Sequence, residues 1–128
     1  MLENKKMKVI DIQALGLALM SFNKAAEEQG VSAKLGYKMA RFADEIAKVS
    51  ATIDKQRQTI FTKYGNEKED GRVDIPKKNV EKFNKEITDF LNQEDSIRVL
   101  SDKIKIDEFG DTKLPPSFMN VFKDYIEE

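Results

Sequence analysis

The chain contains no cysteine, histidine or tryptophan among its 128 residues. Without cysteine it has no disulfide, no zinc site with thiolate ligands and no cysteine nucleophile. Without histidine it lacks the commonest general base near neutral pH and the commonest metal ligand. Glycine-rich phosphate loops and Ser/Lys nucleophile signatures are missing as well. We therefore expect a protein that is not an enzyme and that needs no metal and no cofactor.

Long hydrophobic runs are also missing. The longest apolar stretch, Ala14–Met20, is interrupted by Gly16 and is far shorter than the roughly 20 residues of a membrane span. The charged segment Met1–Lys8 is not followed by the apolar region and cleavage site of a signal peptide. The sequence therefore predicts a cytoplasmic protein with no membrane partner.

The composition is typical of one folded, charge-rich domain covering 1–128. Hydrophobic residues make up 40% of the chain, which suits a folded core, and charged residues make up 35%, above the norm of about 25%. Such a high charged share favours long helices with solvated faces. The net charge of −1 argues against a basic DNA coat protein or an acidic mimic of nucleic acid.

The strongest pattern is a heptad repeat, which predicts one long helix from about 32 to 64. Apolar side chains recur at alternating spacings of four and three residues, which keeps one stripe facing a partner helix. Ser32 can cap the start of this helix, and Gly65 can end it. Alanines beside the stripe would let a neighbouring helix approach closely. The stripe comprises Leu35, Met39, Phe42, Ile46, Val49, Ile53 and Ile60, with Gln56 in the missing position, and the alanines are Ala40, Ala43, Ala47 and Ala51.

A second amphipathic helix is predicted near the N-terminus. Asp11 is placed to cap it, and Gly30 follows its end near Gln29. One apolar face repeats at spacings of three and four residues from Ile12 onward. Leu17 and Met20 widen that face, so we expect this helix to be buried on more than one side.

A shorter helix is predicted over 77–92, after Pro76. About ten polar residues, including an Asp70-Gly71 turn signal, separate it from the long helix, and this favours an antiparallel helical hairpin. Alternating segments at 7–10 and 97–106 predict a minor β element, and a short helix closes the chain. The expected fold class is mainly α with a minor β element (α+β). The remaining helices are long enough to cover the heptad stripe, although part of it could instead bind a partner or a second copy in a homo-oligomer.

The far end of the long helix, together with the loop that follows it, is the candidate surface for binding a protein partner. This segment combines apolar and aromatic side chains with acidic ones, and exposed apolar surface usually marks an interaction site. We call it the tip; it comprises Ile60, Phe61, Tyr64, Glu67, Glu69 and Asp70.

A weaker candidate is a nucleic-acid surface on the long helix. Residues 34–63 contain seven Lys or Arg and three Asp or Glu, and a basic helix can follow phosphates. These basic residues are spread around the helix, which favours an ordinary charged face. The candidate contacts are Lys38, Arg41, Lys48 and Lys55.

Several short motifs follow one another in a characteristic order. Lys34–Arg41 (Lys-Leu-Gly-Tyr-Lys-Met-Ala-Arg) opens the long helix and Lys63-Tyr64-Gly65 closes it. An acidic loop with glycine, a Phe-rich helix, the Ile104-Lys-Ile run and a final Tyr-Ile-Glu-Glu come next. Over roughly Met7–Glu128 the chain resembles a family of small phage and prophage proteins of unknown function from Gram-positive bacteria. The resemblance implies a phage origin and transfers no catalytic residue.

Together these observations favour an accessory protein that acts by protein–protein binding, as an inhibitor or modulator of a host protein in host takeover or anti-defence. Such a protein would work in the cytoplasm of the host during infection or prophage expression. The alternatives are a structural or assembly component of the virion and a nucleic-acid-binding regulator.

Overall fold

The computed structural model describes residues 2–127, most of which belong to four α-helices. Met1 and Glu128, the last residue of the Tyr-Ile-Glu-Glu ending, lie outside the described residues. The mainly helical fold class is confirmed. The helices are α1 (Val9–Gln29), α2 (Ala33–Tyr64), α3 (Lys77–Asn92) and α4 (Pro116–Phe122).

The strands of residues 2–127 form three two-stranded sheets, which confirms the minor β element. The largest pairs β1 with β4 in antiparallel fashion, with Leu2 opposite Leu100 and Lys8 opposite Glu94. The pair β2–β3 is antiparallel, and the pair β5–β6 is parallel. The strands are β1 (Leu2–Lys8), β2 (Asn66–Glu67), β3 (Val73–Asp74), β4 (Glu94–Leu100), β5 (Ile104–Lys105) and β6 (Ile126–Glu127).

The start of α1 differs from the prediction, because strand β1 runs directly into the helix. Val9 and Ile10, expected in a strand, form the first turn of α1, and Lys8 rather than Asp11 is the N-cap residue. The Val9 N–H donates to the carbonyl of Gln93 at 2.9 Å, so this terminal amide has a partner without a capping side chain. Asp11 lies in the first turn, where its charge is favourable to the helix dipole.

Helix α2 begins and ends where the sequence predicts. Its first turn is capped by the Ser32 hydroxyl, which accepts a hydrogen bond from the Leu35 N–H at 3.2 Å. At its end the Gly65 N–H donates to the carbonyl of Phe61 at 2.8 Å. A Cβ at Gly65 would lie 2.8 Å from that carbonyl oxygen and 2.9 Å from Cδ1 of Ile75. Close packing, and not backbone conformation, requires glycine there, because any residue can adopt its φ of −113°.

The heptad stripe of α2 is covered within the single chain. Val49 is half-buried, and Gln56, in the missing position, is exposed. Helix α1 and strand β4 pack on α2, and so does α3, none of whose residues is fully buried. The buried members of the stripe are Leu35, Met39, Phe42, Ile46, Ile53 and Ile60.

An aromatic cluster joins the C-terminal segment to α1 and α2. Phe118 and Phe122 of α4 stack with their ring centroids 4.6 Å apart. Phe42 of α2 lies 5.8 Å from Phe122 and 5.5 Å from Tyr125, and Phe22 of α1 lies 6.2 Å from Phe118. Each such pair contributes about 0.5–1.5 kcal/mol beyond the burial of its surface. The last ten residues of the described chain thus hold the two long helices together.

Candidate functional site

An open groove of about 400 Å³ runs between α1 and α2. Its lining includes buried side chains of the core, such as Leu19 and Ile46, so its interior is apolar. A Cβ added at Gly16 would make ordinary van der Waals contact with the Ser50 hydroxyl, at 3.5 Å, so Gly16 faces α2 at this point. Small side chains on α2 keep the groove open. They are Ala43, Ala47 and Ser50.

Two large apolar side chains on α1 border this groove and are exposed. Leu17 is 66% exposed and Met20 is 67% exposed. The expectation that Leu17 and Met20 widen the buried face of α1 is therefore wrong. Leu17 lies two residues from both Leu15 and Leu19, which places it about 160° around the helix from the face that enters the core. No helix or strand of residues 2–127 covers Leu17 on that side of α1.

The sequence does contain a signal for this exposed face. Ile10, Leu17 and Met20 fall on a second register with spacings of seven and three residues, separate from the register of Ile12 and Leu15. Ile10 is also 47% exposed. The apolar residues of α1 therefore form two faces on opposite sides of the helix and not one widened stripe.

One end of the groove carries a pair of opposite charges. Asp54 and Arg57, one turn apart on α2, line it beside Gln13 of α1. Within residues 2–127 neither side chain takes part in a salt bridge. The groove therefore offers an apolar floor with an anionic and a cationic contact at a defined end.

The tip is less apolar than expected. Ile60 is only 3% exposed, so the expectation of exposed apolar surface is wrong at this residue. Phe61 and Tyr64 are half-buried, because Phe83 of α3 lies 5.1 Å and 6.4 Å from their rings. Helix α3 thus covers the end of α2 that the pattern left for a partner.

The acidic residues of the tip lie at the end of β2 and in the turn between β2 and β3. Glu67, Glu69 and Asp70 are all exposed. Hydrogen bonds from the Arg72 side chain, at 2.6 Å from Nε, and from its backbone N–H lower the pKa of Asp70. Gly71 has a φ of 85°, which is why glycine follows Asp70 in this turn. The tip presents charge and little apolar area, and partner binding there stays a prediction.

No contact in the structure brings the four basic residues of the candidate nucleic-acid surface together. Lys38 pairs with Glu108 at 3.4 Å and Lys48 with Glu45 at 3.2 Å. Arg41 donates to the Tyr37 hydroxyl at 3.2 Å, and Lys55 is exposed. Two of the four cations already face carboxylates, which weakens an attraction to phosphates.

A larger cavity of about 610 Å³ lies beside β1 and the C-terminal segment. Charges of both signs line it, among them Lys5, Lys8, Asp11 and Asp124, so it favours neither a cation nor an anion. Among residues 2–127 no group of three or more acidic side chains is arranged to hold a metal ion. Over the same residues, no helix combines the length and the hydrophobicity needed to cross a membrane.

The groove is thus the site that combines apolar surface, shape and charge. The function of the groove must be inferred from its own residues, because no protein-family model, curated protein or solved structure matches this chain.

Proposed function

We propose that the protein acts by binding another protein chain, and that the groove between α1 and α2 is its docking surface. The observation that supports this most is the exposure of Leu17 and Met20, at 66% and 67%, beside an apolar groove. Exposed apolar surface that is contiguous with a groove is typical of interaction sites. Covering these two side chains would contribute about 1–2 kcal/mol each.

The occupant that suits this shape is an amphipathic helix. A groove between two helices accepts the ridge of a third, and the small side chains Ala43, Ala47 and Ser50 permit close approach. Apolar positions of such a helix would contact Leu17 and Met20. Its polar end would meet Asp54 and Arg57.

We also infer that α2 and α3 form an antiparallel helical hairpin that stiffens the molecule away from the groove. The Asn79 side chain donates to the Tyr64 carbonyl at 2.9 Å, beside the turn between the helices. Further along α3, Lys63 pairs with Glu86 at 3.2 Å, which raises the pKa of Lys63. Hydrogen bonding with Tyr64, and then with Lys63, lowers the pKa of Glu86. The contact of Asn79 with Tyr64, together with the packing of Phe83 on Phe61 at 5.1 Å between ring centroids, supports opposite helix directions.

The sequence resemblance supports a phage setting for this activity. In that setting the protein is a non-enzymatic accessory protein of the infected cytoplasm that modulates a host protein. The exposed acidic residues of the β2–β3 hairpin, Glu67, Glu69 and Asp70, remain available for that contact while the groove is occupied.

Affinity capture tests the proposal. The tagged chain is incubated with a Gram-positive lysate supplemented with untagged chain, and retained proteins are quantified by mass spectrometry. The matched control is Tyr37→Glu, because Tyr37 is 58% exposed on α2 outside the groove lining. We expect one protein, from the host or the untagged copy, to be retained by wild type and Tyr37→Glu and lost with Leu17→Glu. Retention of nothing by the wild type, or equal retention by Leu17→Glu, would contradict the proposal.

A further inference from the structure

We propose that the outer edge of β1 is a second docking surface, which binds an extended acidic segment of another protein as a third strand beside β1 and β4. This surface is separate from the groove, so the inference does not depend on the proposed function. Among residues 2–127 the sheet has only two strands, and β4 occupies one edge of β1. No strand of the described chain lies along the other edge.

The hydrogen-bonding pattern shows which backbone groups of β1 point outward. The Val9 N–H donates to the Gln93 carbonyl at 2.9 Å, and the register places these two residues opposite each other. In an antiparallel pair, every second residue directs its N–H and C=O to the partner strand. Counting back from Val9, the odd-numbered residues of β1 bond to β4 and the even-numbered ones face away from it. The two outward-facing residues in the middle of the strand are Asn4 and Lys6.

The outward groups of Asn4 and Lys6 are open to a partner. Both residues are exposed, and no backbone hydrogen bond outside the ladder reaches either of them in the described part of the chain. The far edge of β4 differs, because the Ser96 N–H, which points away from β1, donates to the Asp95 carboxylate at 2.8 Å. The edge of β1 therefore presents the alternating donors and acceptors that an extended polypeptide backbone matches.

The cavity of about 610 Å³ lies along this edge. Its lining includes the four consecutive residues Lys5–Lys8, and Leu15 and Val121 lie on its other walls. Neighbouring residues of a strand point to opposite faces, so a cavity lined by four in a row lies beside an edge and not above one face. A third strand, about 4.8 Å from β1, would enter this cavity and follow the edge for about 13 Å over residues 4–8.

The side chains of β1 specify what kind of strand fits. Lys5 lies opposite Ile97, which is buried, so the odd-numbered residues share the face that looks toward the core. The Lys5 ammonium accordingly lies 5.8 Å from the centre of the Tyr125 ring. Lys6 and Lys8 point to the other face. A bound strand would place apolar side chains inward, against the cavity walls, and acidic side chains outward, beside Lys6 and Lys8.

The charges favour an acidic segment over a second β1. Strand β1 contains three lysines and one glutamate, and within residues 2–127 none of these lysines takes part in a salt bridge. A second β1 paired antiparallel over its full length would bring Lys5 of each copy opposite the other, and like charges in that position are destabilising. Asp11 and Asp124 line the cavity, so the acidic residues of the bound segment belong on its outward face.

Peptide titration of the full chain tests the edge. The probe is a fluorescein-labelled peptide of alternating glutamate and valine with the seven-residue length of β1, and its matched control carries lysine in place of glutamate. We expect fluorescence polarisation to show binding of the glutamate peptide and at least about tenfold weaker binding of the lysine peptide. Leu17→Glu, which alters the groove, should bind the glutamate peptide like the wild type.

The backbone contacts are tested on both sides of the interface. Lys6→Pro removes an outward N–H and no bond to β4, a position where an edge strand tolerates proline, so it should weaken binding at least about tenfold. Lys6→Ala keeps the N–H and should weaken binding less. On the peptide, N-methylation of alternate residues removes one row of N–H groups at a time. Methylation of one row should abolish binding, while the other row points away from β1 and should tolerate it.

Several results would overturn the inference. They are the absence of binding at millimolar glutamate peptide, equal binding of the lysine peptide, and equal effects of the two methylation patterns. Loss of binding in Leu17→Glu would place the peptide in the groove instead. A dimer in sedimentation equilibrium that Lys6→Pro dissociates would show that a second copy takes the edge. The methylated peptides leave the protein unaltered, so they decide the question even where Lys6→Pro disturbs the fold.

Discussion

Replacing Phe42 by alanine tests whether the heptad stripe is held inside the chain. Phe42 is fully buried, and its ring lies 5.8 Å from Phe122 and 5.5 Å from Tyr125. Truncating a buried phenylalanine removes its transfer free energy and leaves a cavity, at a cost of about 3–5 kcal/mol. A domain of this kind is stable by about 5–15 kcal/mol in total, so Phe42→Ala should remove a large share of its stability.

The assay is urea unfolding followed by far-ultraviolet circular dichroism. The matched control is Tyr37→Ala, since Tyr37 is an aromatic residue of the same helix and is 58% exposed. The control should change the free energy of unfolding by no more than about 0.5 kcal/mol. A loss below about 1.5 kcal/mol for Phe42→Ala would refute the reasoning, because a ring that packs between α2 and the C-terminal segment cannot be removed so cheaply.

Three further predictions concern stability. Gly65→Ala should lower the free energy of unfolding by about 1–3 kcal/mol in urea titrations, because its Cβ would overlap the Phe61 carbonyl and the Ile75 side chain. Ile60→Asp should destabilise the fold by about 3 kcal/mol or more in the same assay, because it buries an unpaired charge. Hydrogen bonding by the Lys105 N–H, assisted by Lys38, lowers the pKa of Glu108 below its ordinary value of 4.5. The stabilisation is thus present above pH 4.5 and lost as the pH falls through the lowered pKa, so thermal melts of Glu108→Gln should lose less stability than wild type over that range.

Each of these predictions has a result that would contradict it. Wild-type stability of Gly65→Ala would mean that the end of α2 is not closely packed. A stable, folded Ile60→Asp would restore the expectation that the tip exposes apolar surface. For Glu108, equal losses of stability by the variant and the wild type in acid would show that Lys105 and Lys38 do not stabilise its carboxylate in the folded state.

The sequence predicts α2 well because a single helix satisfies all of its signals. The stripe from Leu35 to Ile60, the Ser32 cap and the Gly65 end agree with one another, so both bounds of the helix could be located. The start of α1 could not be located in this way. Residues 2–8 lack an alternating apolar pattern, and the hydrogen bond from Val9 to Gln93 depends on the pairing of β1 with a strand more than 80 residues away.

The candidate site was missed for a different reason. An apolar residue on a helix predicts burial, and the sequence does not say whether the neighbour belongs to the same chain. Leu17 and Met20 are apolar like Leu15 and Leu19, yet the chain supplies a neighbour only for the second pair. Conversely, Ile60 was predicted to be available for a partner, because the length of α3 alone does not show that α3 covers the end of α2.

The central claim is that another protein chain covers the groove, and thiol reactivity measures this most directly. The chain contains no cysteine, so Met20→Cys introduces a single thiol at the border of the groove, and Tyr37→Cys introduces one outside it. Alkylation of each purified variant, followed by mass spectrometry of the intact chain, is compared with and without a saturating amount of the protein that affinity capture retains. The account predicts that the bound protein slows the reaction of the thiol at position 20 and leaves the rate at position 37 unchanged. An unchanged rate at position 20 in the presence of that protein would contradict it.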